Sequence, residues 1–171
     1  MERCVSALPS KPASGDEARR VIRTVDLLGF CGDDHVNDDI GDGWCACHAY
    51  NEWMLVMKAG GIDAVVGAMR KDRQDAFIQE RGCVALFALF YMMYSESLAL
   101  LKTREALMAV FKAVVEALRD HPANAQVQWA GCLALGEIAA CGRKFWKNAS
   151  AVIGNARGVD TVMGALKAHG A

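Results

Sequence analysis

Five side chains that favour soft metal ions stand close together in this chain: Cys31, His35, Cys45, Cys47 and His48. Four such groups hold a zinc ion when a fold gathers them into a tetrahedron, and thiols so gathered can also sense redox state. The spacing matches no standard zinc module. Cys45 and Cys47 lie two residues apart, and on a helix such positions point in different directions. The expectation is structural cysteines with no metal and no cofactor. A metal- or redox-responsive regulator using residues 31–48 is the alternative.

The acidic run Asp33-Asp34-His35-Val36-Asn37-Asp38-Asp39-Ile40-Gly41-Asp42-Gly43 invites a calcium reading, which its spacing defeats. A loop begun at Asp38 puts Ile40 at the third ligand position and Ala49 where a bidentate glutamate is needed. A turn before a helix, with aspartates near the positive end of its dipole, accounts for the run. No Ser-His-Asp, Cys-His or paired-carboxylate arrangement and no phosphate-cradling glycine loop can be assembled, so no catalytic residue is assigned and no enzyme is expected. Arg143-Lys144-Phe145-Trp146-Lys147 mixes cations with aromatics, but one short patch is better read as a solvated helix start than as an RNA contact.

Composition narrows the class. The 171 residues are 53% hydrophobic with three prolines, which suits a helical array. A formal charge of −1, from 19 basic against 20 acidic residues, gives no field to attract nucleic acid. The longest apolar stretch, Cys83 to Tyr94, falls short of the roughly 20 residues of a membrane span. Residues 1–15 contain no apolar core of signal-peptide length. Seven cysteines without framework spacing point to a reducing intracellular compartment, the cytoplasm first and an organelle next.

The elements that position these groups are written twice. Ala64 to Leu89 reads AVVGAMRKDRQDAFIQERGCVALFAL, and 49 residues later Ala113 to Ile138 reads AVVEALRDHPANAQVQWAGCLALGEI, with eleven of 26 positions identical. Ala156 to His169 repeats Ala59 to Asp72 at an offset of 97. A divergent earlier copy occupies Val21 to Trp53, where an offset of 38 sets Cys45 on Cys83 and Ile40 on Ile78. Repetition at this spacing signals stacked helical units that bury their apolar faces on one another.

Each copy has a fixed internal order. Ile62, Val65, Val66 and Met69 make one helical stripe, Arg70 to Asp75 a polar turn, and Ile78, Gly82, Ala85, Leu86 and Leu89 a second stripe. In the next copy Pro122 helps stop one helix and Asn124 caps the following one. Gly60-Gly61 and Gly158 break the chain before the shorter helix and imply a small helix ahead of it. Ser97 to Arg119 has no Gly or Pro there, so the first two helices of that unit are expected to fuse. His121 and His169 fall at matched positions after the shorter helix and read as helix-end residues.

Gly61-Ile62-Asp63-Ala64-Val65-Val66, Gly158-Val159-Asp160-Thr161-Val162-Met163, Gln79-x-x-Gly82-Cys83-x-Ala85-Leu86 and Gln128-x-x-Gly131-Cys132-x-Ala134-Leu135 resemble armadillo repeats, well over 59–171 and poorly over 21–58. The resemblance implies an all-α fold: a right-handed α-solenoid of about three three-helix units, with a concave groove lined by the third helices. After an N-terminal tail at 1–20, one domain would span 21–171, with units at about 21–58, 59–107 and 108–155 and a partial unit at 156–171. It also implies a protein-binding scaffold, a structural or adaptor subunit of a larger complex.

The family's peptide binders carry a Trp and an Asn four residues apart on each third helix; here those places hold Val84 with Ala88 and Leu133 with Glu137, so the peptide clamp is missing. Taken from family geometry, the groove carries Asp42, Glu80 and Trp129, then Ala46, Val84 and Leu133, then Tyr50, Ala88 and Glu137. That mixed apolar and acidic ladder suits a helix or loop better than an extended peptide. At the end of the third copy Val162, Met163 and Leu166 would present an uncovered apolar stripe, expected to bind a partner, a second copy or further sequence.

Overall fold

The computed structural model describes residues 14, 16, 18–20, 22–23, 56–92, 104–145 and 158–169. Among these every regular element is helical, and no helix is long and apolar enough to cross a membrane. Five helices follow in order: α1 (Gly61–Lys71), α2 (Ala76–Met92), α3 (Arg104–Asp120), α4 (Ala125–Phe145) and α5 (Gly158–His169).

Gly60 starts α1 by standing at φ 81°, a left-handed backbone that favours glycine, and so turns the chain out of the helical residues 56–58. Gly61 must also lack a side chain, because a Cβ there would come 2.8 Å from the Val56 carbonyl oxygen. The second copy has Ala109 and Val110 at these places, and α3 runs through them as one helix of 17 residues. The fusion expected from the sequence is present.

The two long helices start alike. The Asp75 Oδ1 accepts from the backbone N–H of Phe77 at 3.0 Å, and the Asn124 Oδ1 accepts from Gln126 and Val127, both at 3.1 Å. Each cap satisfies amides that have no partner inside the helix.

α2 and α4 are also each pinned to the preceding helix by one buried glutamine. Gln79 Nε2 donates to the carbonyls of Met69 and Asp72, each at 3.0 Å. Gln128 Nε2 donates to Leu118 at 2.7 Å and His121 at 3.0 Å. Met69 and Leu118 are carbonyls left over at the ends of α1 and α3, and Asp72 and His121 also accept from the turn amides of Asp75 and Asn124, so each glutamine completes a helix end while holding the next helix against it. Beside them Gly82 and Gly131 make room: a Cβ would fall 2.6 Å from Met69 Cγ and 2.6 Å from Leu118 Cδ2, respectively.

Packing follows from these anchors. α1 lies on α2 and α3, α2 on α4, and α3 on α4 and α5. One apolar cluster runs through them, from Ala18 and Ile22 through Met69, Leu86, Phe90, Phe111 and Leu118 to Ile138. α2 is apolar nearly all round because helices cover it on several sides.

Candidate functional site

The rotation of α4 about its axis is set by what it must bury. Gln128 and Gly131 turn toward α3, and Val127, Ala130 and Ala134, all at 0% exposure, form an adjoining stripe. With about 100° per residue, Trp129, Cys132 and Leu133 then fall on the opposite side. There they meet α5 across an open cleft of about 530 Å³, whose floor and walls include Gln126, Gln128, Ala165 and His169. Among the described residues no Asp, Glu, Lys or Arg lines it. Trp129 is 61% exposed, a large apolar surface held out into water.

His169 is fixed rather than reactive. Its Nε2 donates to the Pro122 carbonyl at 2.9 Å, just as His121 Nε2 donates to the Arg73 carbonyl at 2.7 Å one copy earlier. Each histidine ties the end of a short helix to the turn of the preceding copy, which matches the helix-end role read from the sequence.

The repeated cysteines differ in surroundings. Cys83 is fully buried, and desolvation of the charged form pushes its thiol up to about 12, with neighbouring Cys132 adding to the shift. Cys132 lines the cleft; it is only partly covered, and burial raises its thiol as well. Both remain protonated near neutrality, so neither is a ready nucleophile.

The structure sorts the expected contact residues. Trp129 and Leu133 line the cleft. Glu80 and Val84 are half-buried on α2, with Val84 packed on the core. Ala88 corrects the expectation: at 3% exposure it is a core residue. Steps of four residues advance about 40° too far per turn, so two steps from Glu80 rotate the stripe about 80°. The same drift carries Glu137 away from Trp129; it is half-buried, and its Oε2 is shielded from solvent with no hydrogen-bond partner among the described residues.

On α5, Met163 is 49% exposed, but Val162 packs against the core and is not part of an open stripe. The Leu166 side chain lies outside the described residues. Ala165, unremarked in the sequence, is buried and lines the cleft wall. Arg143 to Phe145 form the last turn of α4, not a helix start, because Gly142 does not interrupt the helix.

Cys31, His35, Cys45, Cys47, His48, the acidic run and the remaining groove positions Asp42, Ala46 and Tyr50 lie outside the described residues. Among the described residues no three His, Cys, Asp or Glu side chains converge as a metal site would require. Sequence reasoning missed the glutamine anchors, although Gln79 and Gln128 recur at one repeat position, and the Asp75 cap, which stands where the recognised Asn124 cap stands in the next copy. No family model, curated protein or solved structure matches the chain.

Proposed function

We propose that this chain is a non-enzymatic protein–protein interaction module, an armadillo-like α-solenoid that serves as a structural or adaptor subunit of a larger assembly in a reducing compartment. The cleft carries the reading. A concavity whose described lining carries no charged side chain, with an indole 61% exposed at its edge, is the chemistry of a protein contact, since tryptophan is among the commonest interface anchors. The repeated hydrogen bonds of Gln79 and Gln128, and of His121 and His169, support a stack of equivalent units.

The test is site-specific cross-linking in the source cells. A photoreactive phenylalanine analogue in place of Trp129 is expected to give discrete adducts with a partner protein, whereas the same group in place of Lys71, at the exposed C-terminal end of α1, is not. Identical adduct patterns from both positions, or none from position 129, would overturn the reading.

A further inference from the structure

Three guanidinium groups gather round one aromatic ring. Arg81 of α2 lies 6.0 Å from the centre of Phe77, and Arg19 and Arg23, four residues apart in the helical stretch before α1, lie at 5.8 and 6.0 Å. Each contact is a cation–π attraction, but the cations also repel one another, and like charges four apart on a helix oppose it. Neutralisation is incomplete. The Asp75 carboxylate pairs with Arg19 while its Oδ1 caps α2, Glu80 stands 3.9 Å from Arg81, and Arg23 makes no ion pair among the described residues.

The repeat shows that a unit can be built without this arrangement. Phe77 and Arg81 become Gln126 and Ala130 49 residues later, yet α4 starts with the same kind of cap and is pinned by an equivalent glutamine. A cluster that works against local stability, and that the fold does without one copy later, is where function is expected.

We propose that the arginines around Phe77 bind an acidic segment of the partner protein, whose carboxylates meet the guanidinium groups while its apolar residues lie along α2. The inference rests on the interaction-module reading and names the partner's chemistry. The arginines are open to solvent, with side chains 45% exposed at Arg19 and 38% at Arg81. One exposed ion pair is worth about twofold to fivefold in affinity, so a small anion would be held weakly and a segment that adds further contacts is required. α2 supplies them. Val84, Phe87 and Tyr91 follow Phe77 and Arg81 at three- and four-residue spacing, the first two half-buried and Tyr91 exposed, with the Phe87 and Tyr91 rings stacked at 5.7 Å. Nucleic acid fits less well, because a chain of formal charge −1 offers its repeated phosphates no favourable field beyond such a patch.

The probe is a fluorescein-labelled peptide of glutamates interrupted by leucines, titrated with the full chain and followed by anisotropy. Arg23→Glu removes one attraction and adds one repulsion, and is expected to weaken binding by about tenfold. Lys71→Glu makes the same change of net charge at the exposed end of α1 and is expected to cost less than about twofold. Arg23→Gln, which introduces no new charge, should lose about threefold with an unchanged circular dichroism spectrum. No binding by the natural chain, or equal losses from Arg23→Glu and Lys71→Glu, overturns the site. Displacement of the probe by inorganic phosphate at matched ionic strength overturns the choice of a peptide in favour of a small anion. Tighter binding of a single-stranded oligonucleotide of matched charge overturns the choice of a protein. Partner adducts from position 129 with no binding of the probe remove the acidic segment and leave the interaction module standing, whereas probe binding without such adducts does the reverse, which separates the two failures.

Discussion

Two seams, one between α1 and α3 and one between α3 and α5, are built from equivalent residues and close differently. Between α1 and α3 the seam is bounded by Met69, Arg70, Arg73, Gln79, Ala113, Glu116, Ala117 and Asp120, and it has no room for a water-sized sphere. Between α3 and α5 the matching residues Leu118, Arg119, Pro122, Gln128, Gly164, Ala165 and Ala168 leave about 370 Å³. The backbone tie is present in both, as His121 to Arg73 and His169 to Pro122. What differs is the side chains that span the gap. Arg73 Nε donates to Asp120 Oδ2 at 2.8 Å, and that bond, with the charges of Asp120 and Glu116, raises the guanidinium above its usual range. The second seam replaces Arg73, Glu116 and Asp120 with Pro122, Gly164 and Ala168. The repeated hydrogen bonds therefore set where a helix goes, and the variable side chains set how tightly it is held. α5 is the loosely held helix, and it forms one wall of the cleft.

The largest effect should come where both copies are tight. Gly131→Leu forces a side chain into the space of Leu118, whose Cγ would already lie 2.8 Å from a Cβ, and is expected to cost about 3 kcal/mol in denaturant unfolding. Gly82→Leu should cost less, because the facing Met69 is unbranched and can swing aside. Equal losses would show that neighbour shape does not distinguish the copies.

The glutamine anchors sharpen the same comparison. Gln79→Leu strands the Met69 carbonyl in a closed seam, while the Asp72 carbonyl keeps the Asp75 N–H at 3.3 Å, and is expected to cost about 2 kcal/mol. Gln128→Leu strands the Leu118 carbonyl beside a seam that admits water, while the His121 carbonyl keeps the Asn124 N–H at 3.1 Å, and a bridging water recovers part of the loss, leaving about 1 kcal/mol. The reverse order in parallel unfolding curves would contradict the open seam.

The sequence made some of this legible. Helix pairs could be read because stripes such as Ile62, Val65, Val66 and Met69 recur at helical spacing, and the turn at Pro122–Asn124 because its residues act locally through a cap. Gly82 and Gly131 could be read as close contacts because they interrupt buried stripes. Long-range consequences were hidden. Gln79 reaches back ten residues to a carbonyl whose position depends on how α1 meets α2. Ala88 looked like a groove residue because a four-residue ladder ignores the rotation that accumulates along a helix. Trp129 was legible as an anchor by type, but the cleft beside it exists only once α5 is placed, and that placement follows from packing rather than pattern.

The smallest effect is a gain. Gly164 lies inside α5, and a Cβ built on it meets nothing within 4 Å, so alanine fits without strain. Glycine inside a helix costs about 1 kcal/mol relative to alanine, through the freedom it has in the unfolded chain. Gly164→Ala should therefore hold α5 more firmly by roughly 0.5–1 kcal/mol. The readout is hydrogen exchange at the α5 amides, because one loosely held helix can open without the rest and a global melting curve would miss it. Slower exchange in α5, with α1 and α2 unchanged, is the expected result. Pro122→Arg combined with Ala168→Asp then rebuilds the bridge of the first seam on the second and should slow α5 further. If Gly164→Ala slows exchange and the rebuilt bridge does not, the difference between the seams lies in helix propensity alone, and the spanning ion pair is not what closes the first.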